Sequence, residues 1–134
     1  MNIGVIGAGI GGLTFAAAMR RFAPTTKVEL YERDLSATSR FQGYSLGLKG
    51  DAGLPVLKTL GLHDLLATQA VTIMNFIFCD QRGQVLLELP RTTDEKRLNQ
   101  RVKRHALKTA LLGAIGDTSI HLDMLATGFR QPSR

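Results

Sequence analysis

Apolar positions recur along the chain with rhythms that change from strand-like to helical and back. Asn2 to Ile6 is a short apolar run with β-formers at Ile3, Val5 and Ile6, which predicts a strand buried on both faces. Leu13 to Phe22 carries Leu13, Ala16, Ala17 and Met19 at helical spacing, with Arg20 and Arg21 where cations complement the negative helix end. Pro24, in Ala23-Pro24-Thr25-Thr26, ends that helix. Val28 to Glu32 predicts a second strand, with Val28, Leu30 and Glu32 on one face and Glu29 and Tyr31 on the other.

The middle of the chain is less regular. Gly43 to Leu48 reads as a short extended piece, and Asp51 to Leu60 as a helix in which Pro55 fits only near the start. Gly61 suits the left-handed position after that helix. Val71 to Cys79 and Val85 to Leu89 flank Asp80-Gln81-Arg82-Gly83, which predicts a β-hairpin. Pro90 to Gln100 is polar and basic, hence a loop. Arg104 to Ile115 has one apolar face (Leu107, Leu111, Ala114, Ile115), hence a helix, and Ser119 to Leu125 alternates as a third strand. No periodicity follows Leu125.

The first strand leads into Gly7-Ala8-Gly9-Ile10-Gly11-Gly12, where Gly7, Gly9 and Gly12 fit G-x-G-x-x-G. Alone, that pattern is weak. Here it follows a strand, opens a helix, and is followed by a second strand whose end carries Glu32, 20 residues beyond Gly12. Each position has a mechanical reason. Gly7 permits the sharp turn, Gly9 lets a pyrophosphate approach the backbone, and Gly12 lets helix and strand pack closely. Free N–H groups and the positive end of the helix dipole then favour phosphate, and Glu32 can accept hydrogen bonds from ribose hydroxyls. An acid there disfavours a 2′-phosphorylated dinucleotide. The expected fold is α/β, a partial Rossmann-like domain with parallel strands in the order 3-2-1, flanking helices and a β-hairpin insertion. Its first strand exposes an edge on which self-association can occur.

Composition narrows the function classes. The 134 residues suit one domain of ordinary size, and 44% hydrophobic with 21% charged residues excludes a disordered or fibrous chain. A net charge of +6 and a pI near 10.0 raise nucleic-acid binding as a reading. Aromatics are only 6% and no nucleic-acid-binding signature is present, so no nucleic-acid partner is expected. No apolar run is long enough to span a membrane, and the glycine-interrupted N-terminus lacks the basic start of a signal peptide. The single Cys79 excludes an intrachain disulfide and suits a reducing, cytoplasmic compartment; within its apolar strand it reads as a buried, inert thiol. His63, His105 and His121 lack metal-ligand spacing, so no metal site is expected. Arg91, Lys96, Arg97, Arg101 and Lys103, with Asp94 and Glu95 among them, read as a solvated loop.

Val5-Ile6-Gly7-Ala8-Gly9-Ile10-Gly11-Gly12-Leu13-Thr14-Phe15-Ala16, followed by Leu30-Tyr31-Glu32-Arg33, resembles the N-terminus of the FAD-dependent aromatic-hydroxylase-type monooxygenases. Arg40, Gly43, Leu46 and Leu48, then Leu57, Gly61 and Leu62, are similar to the stretch that follows the acid in that family, the tetracycline-inactivating subgroup above all. Arg104, Leu107 and Leu111 match its R-x-x-L-x-x-x-L helix. The resemblance covers about residues 2 to 125.

It implies FAD as cofactor, NAD(P)H and O2 as co-substrates of the complete enzyme, and hydroxylation of an aromatic or polycyclic small molecule. Gly7, Gly9 and Gly12 would hold the pyrophosphate, Glu32 the adenosine ribose and Arg33 the adenine border. Arg104 would reach the phosphates or ribityl chain, and Arg40 the flavin end. A cation at position 104 opposes the dipole of its own helix, which favours an anionic partner. Gly47 departs from the subgroup, which tends to carry an acid there. The family's downstream Asp-Gly and Gly-Asp motifs and its substrate-covering sheet have no counterpart, so no catalytic residue is nominated. The expectation is the N-terminal part of an FAD/NAD(P)-binding domain over residues 1–134, truncated and not competent alone. The alternative is a stand-alone module that recognises NAD or ADP-ribose without redox work.

Overall fold

In chain order, the elements of the computed structural model are β1 (Asn2–Ile6), α1 (Ile10–Phe22), β2 (Lys27–Tyr31), β3 (Ser45–Lys49), α2 (Gly53–Thr59) and α3 (His63–Ala67). They continue as β4 (Ala70–Thr72), β5 (Asn75–Cys79), β6 (Val85–Pro90), β7 (Asn99–Lys103), α4 (Arg104–Ala114) and β8 (Ser119–His121). The structure describes residues 1–38, 43–90 and 99–131. It divides into two compact units, one of Met1–Gly43 with Leu107–Arg134 and one of Tyr44–Ala106.

The first unit holds the parallel sheet, in the order β1-β2-β8. The third parallel strand therefore lies beside the second, as the sequence predicts. Val5 pairs with Leu30, and Leu30 with Ile120. Helix α1 begins three residues earlier than its apolar period suggests, because Gly11 and Gly12 are absorbed into its first turn. It buries Leu13, Ala16 and Ala17, and the N–H of Ala23 closes on the carbonyl of Met19 (2.8 Å) before Pro24. Ala8, Leu30, Leu107, Ala110, Leu111 and Ile115 are buried in the same unit.

Two expectations fail here. Strand β1 is not buried on both faces: its residues alternate between half-buried and exposed, and Ile6 is 68% exposed. Among the described residues β1 pairs only with β2, so one long edge has no neighbour. The third strand stops at His121 rather than Leu125, because Asp123 adopts a left-handed backbone (φ 57°) and turns the chain. The turned segment stays tied to the end of β2, since the N–H of Met124 donates to the carbonyl of Glu32 (2.9 Å).

The second unit contains an antiparallel sheet in the order β3-β7-β4, which the sequence did not announce. The loop expected over Pro90 to Gln100 gives way to strand at Asn99, and within β7 Val102 is buried and pairs with Leu46 and Ala70. Arg101 and Lys103 lie on this strand, not in a loop, and both are exposed; Arg91, Lys96 and Arg97 fall outside the described residues. Leu48, Leu54, Leu57, Leu62 and Leu66 form the rest of this unit's core. Pro55 sits in the first turn of α2, where its missing N–H has no helical partner to lose.

The β5–β6 hairpin forms, but the strand expected over Val71 to Cys79 is broken, and its first part, β4, pairs with β7 instead. Asp80 Oδ1 accepts from the N–H groups of Arg82 (2.8 Å) and Gln84 (2.9 Å), and Gly83 takes the left-handed position (φ 80°). The expectation of a buried Cys79 is overturned: the thiol is exposed, as is every residue of both strands. A two-stranded ribbon cannot bury its own side chains unless another layer packs on it. Cys79 in the native chain is therefore expected to react with an alkylating reagent nearly as fast as in the urea-unfolded chain. Strong native protection, read by mass spectrometry, would contradict this exposure.

Candidate nucleotide-binding site

At the carboxyl ends of the parallel strands lies a groove of about 390 Å³. Ile6, Gly7 and Gly9 form one wall, and Tyr31 to Asp34 form another. Met124, Leu125 and Ala126 close the third side. The size suits a cofactor fragment, and the mouth of a parallel sheet is where open α/β folds bind ligands.

Gly7 makes the turn out of β1 at φ 96°, and its N–H donates to the carbonyl of Tyr31 (2.8 Å). Gly9 is the extended residue that begins α1, and the N–H of Leu13 closes the first turn on its carbonyl (2.9 Å). The earlier N–H groups of the helix have no partner within it, which leaves donors and a positive dipole end beside the groove. A Cβ at Gly9 would meet nothing within 4 Å, so that stretch of backbone is open to an incoming group. Gly12 is the opposite case. A Cβ there would overlap the carbonyl oxygen of Gly7 and lie 3.2 Å from Val5 Cγ1. Gly9 faces space and Gly12 faces the strand, the division of labour that the glycine spacing implied.

Glu32 is 9% exposed, and both carboxylate oxygens are engaged. Oε2 accepts from the N–H of Ala8 (2.8 Å), and Oε1 from the N–H of Asp34 (3.1 Å). Burial pushes this carboxyl up, but the N–H groups of Asp34, Ala8 and Arg33 and the positive charge of Lys108 together hold it below its ordinary value of 4.5. A lowered folded-state value means stabilisation that is complete above the ordinary carboxylate range and lost as pH falls through the folded value. The stability gap between the native chain and Glu32→Gln is thus expected to be widest at neutral pH and to narrow as pH falls below the ordinary carboxylate range. Urea midpoints across that range measure it; a gap that widens on acidification would contradict the lowered value.

Of the residues nominated from sequence, Gly7, Gly9, Glu32 and Arg33 line the groove, and Gly12 lies behind it. Arg40 lies outside the described residues. Arg104 belongs to the other unit, where its N–H donates to the carbonyl of Tyr44 (3.1 Å). Its Nε is buried and, among the described residues, has no hydrogen-bond partner. Sequence reasoning missed Met124, Leu125 and Ala126: alternation placed the first two in a strand, and Ala126 follows it without a pattern. The available signal was Asp123, a residue type enriched at left-handed positions. His121 stacks on Tyr31 (ring centroids 4.8 Å apart) outside the lining. Among the described residues no cluster of His, Cys, Asp or Glu could hold a metal ion, and no helix is long and apolar enough to cross a membrane.

Residues 5–59 match a family model described as an NAD(P)-binding Rossmann-like domain. A monooxygenase of Aspergillus candidus, cfoF, is 36% identical over 126 residues, covering 84% of this chain and 30% of that protein. The crystal structure of the tetracycline destructase Tet(51) is 25% identical with a TM-score of 0.65, over 91% of this chain and 30% of that one. The chain is similar in sequence to that monooxygenase and in fold to that destructase. The fold recurs in the tetrameric form of 2-methyl-3-hydroxypyridine-5-carboxylic acid oxygenase, with a TM-score of 0.73 at 22% identity over 91% of this chain and 31% of that one. The chain thus spans about three tenths of the length of the relatives it matches.

Proposed function

We propose that this chain binds the ADP half of FAD as the N-terminal part, over residues 1–134, of the FAD/NAD(P)-binding domain of a flavin-dependent monooxygenase. The observation that carries the reading is the groove bounded by the open Gly9 backbone on one side and the Glu32 carboxylate on the other. Gly7, Gly9 and the first N–H groups of α1 hold the pyrophosphate, with Gly12 keeping the helix close to the strand. Glu32 accepts from the adenosine ribose and Arg33 borders the adenine. The resemblance adds Arg104, toward the phosphates or ribityl chain, and Arg40, toward the flavin end. The buried Nε of Arg104, unpartnered among the described residues, supports an anionic partner for that side chain. When bound, FAD supplies the redox chemistry and the protein supplies binding and orientation.

The substrate class of the whole enzyme is an aromatic or polycyclic small molecule, hydroxylated with NAD(P)H and O2 in the cytoplasm. No nucleic acid or membrane takes part. The unpaired edge of β1 supports self-association. Calorimetric titration with FAD, ADP and NAD tests the cofactor. Binding of FAD and ADP, with NAD weaker, is the expected result. Preference for NAD with no binding of FAD would replace the reading with a stand-alone NAD-recognising module.

A further inference from the structure

The Glu32 carboxylate does more in this structure than line the groove. It lies 24 residues from Ala8 in sequence, yet Oε2 takes the Ala8 N–H at 2.8 Å. Ala8 is fully buried, so without Glu32 that N–H would have neither water nor another acceptor. The neighbouring donors are arranged around it. The Gly7 N–H is fixed on Tyr31, and the Leu13 N–H closes the helix on Gly9. Through the Ala8 N–H the turn between β1 and α1 is tied to a side chain just beyond the end of β2.

We infer that Glu32 is a positioning residue for the glycine-rich turn, so that it governs phosphate binding through the backbone as well as ribose binding directly. A carboxylate offers about four acceptor positions. Ala8 and Asp34 use two of them, and Glu32 also lines the groove, so acceptor capacity is left for a ribose. The two roles are therefore compatible in one side chain. Glutamine cannot fill the first role completely. It has one acceptor oxygen and one NH2 group, and two backbone N–H donors face it. Either orientation sets donor against donor at Ala8 or at Asp34.

The ligand arm of the test rests on the nucleotide-binding reading, whereas the amide arm does not. In the 134-residue chain, Glu32→Gln is expected to weaken both ADP and 2′,3′-dideoxy-ADP by about tenfold, although the second ligand has no ribose hydroxyl to lose. Hydrogen exchange of the Ala8 amide in the unliganded protein is expected to accelerate by about tenfold or more. Glu32→Asp, which shortens the reach by one methylene, should accelerate it too, and it provides the same readouts if the glutamine variant fails to fold. Weakened ADP with unchanged dideoxy-ADP would reduce Glu32 to a ribose reader and overturn the inference. So would an Ala8 amide indifferent to both substitutions. If neither nucleotide binds the native chain while the Ala8 amide still responds, Glu32 still positions the turn, but its control of phosphate and ribose binding falls with the nucleotide reading.

Discussion

Gly12→Ala is expected to destabilise the first unit by about 3 kcal/mol, the upper end of the cost of overpacking. Helix propensity alone argues the reverse sign, because alanine inside a helix is favoured over glycine by about 1 kcal/mol. Geometry decides between them. A Cβ at position 12 overlaps the carbonyl oxygen of Gly7, a backbone atom whose position is set by the Gly7 turn and its bond to Tyr31. No rotamer change can relieve such an overlap; helix α1 would have to lift away from β1, weakening the burial of Leu13, Ala16 and Ala17. Gly11→Ala is the control. It lies in the same helical turn, with nothing within 4 Å of the added carbon, so propensity should act alone and stabilise by up to about 1 kcal/mol. Urea unfolding of both variants measures the two signs. A stabilising Gly12→Ala would mean that the helix does not pack on the strand as described.

The contrast between Gly11 and Gly12 also shows what can be read without coordinates. Spacing relative to a strand end and a helix start located Gly7, Gly9, Gly12 and Glu32, because each has a backbone role that few other residues can fill. The order β1-β2-β8 followed from the same logic, since the third strand of such a unit lies beside the second. The second unit was largely illegible. Its sheet joins Leu46 to Val102 and Val102 to Ala70, partners far apart in a chain whose local composition around residue 100 is polar and basic. A strand with one buried residue among exposed cations carries almost no period-two signal. Cys79 failed for a related reason. Apolar composition reports a tendency toward burial, whereas burial itself needs a second layer, and every residue of the β5–β6 ribbon is exposed. The extra duty of Glu32 was equally invisible, because a hydrogen bond from Ala8 to a side chain 24 residues away depends on how the turn is aimed.

Gly9→Asp is expected to separate binding from stability completely. The position has an extended backbone (φ −77°, ψ −179°) that any residue adopts, and no atom lies within 4 Å of an added Cβ. It is also the N-cap of α1, where no side chain supplies a cap hydrogen bond. Aspartate is among the best N-cap residues, and relative to glycine it should leave stability unchanged or raise it by a few tenths of a kcal/mol. The effect on FAD or ADP has the opposite sign. The new carboxylate would take the helix N–H groups for itself and stand where the pyrophosphate must approach. Two like charges at about 4 Å repel by about 4 kcal/mol at the effective dielectric of a protein surface. Screening by salt reduces that figure, so a loss of about a hundredfold in affinity is the expected result at moderate ionic strength. Calorimetric titration beside urea unfolding reads both quantities on one sample. Native-like stability with lost binding would place the phosphates at Gly9. Full affinity for FAD in a folded Gly9→Asp chain would move the cofactor away from this turn, and the proposed site with it.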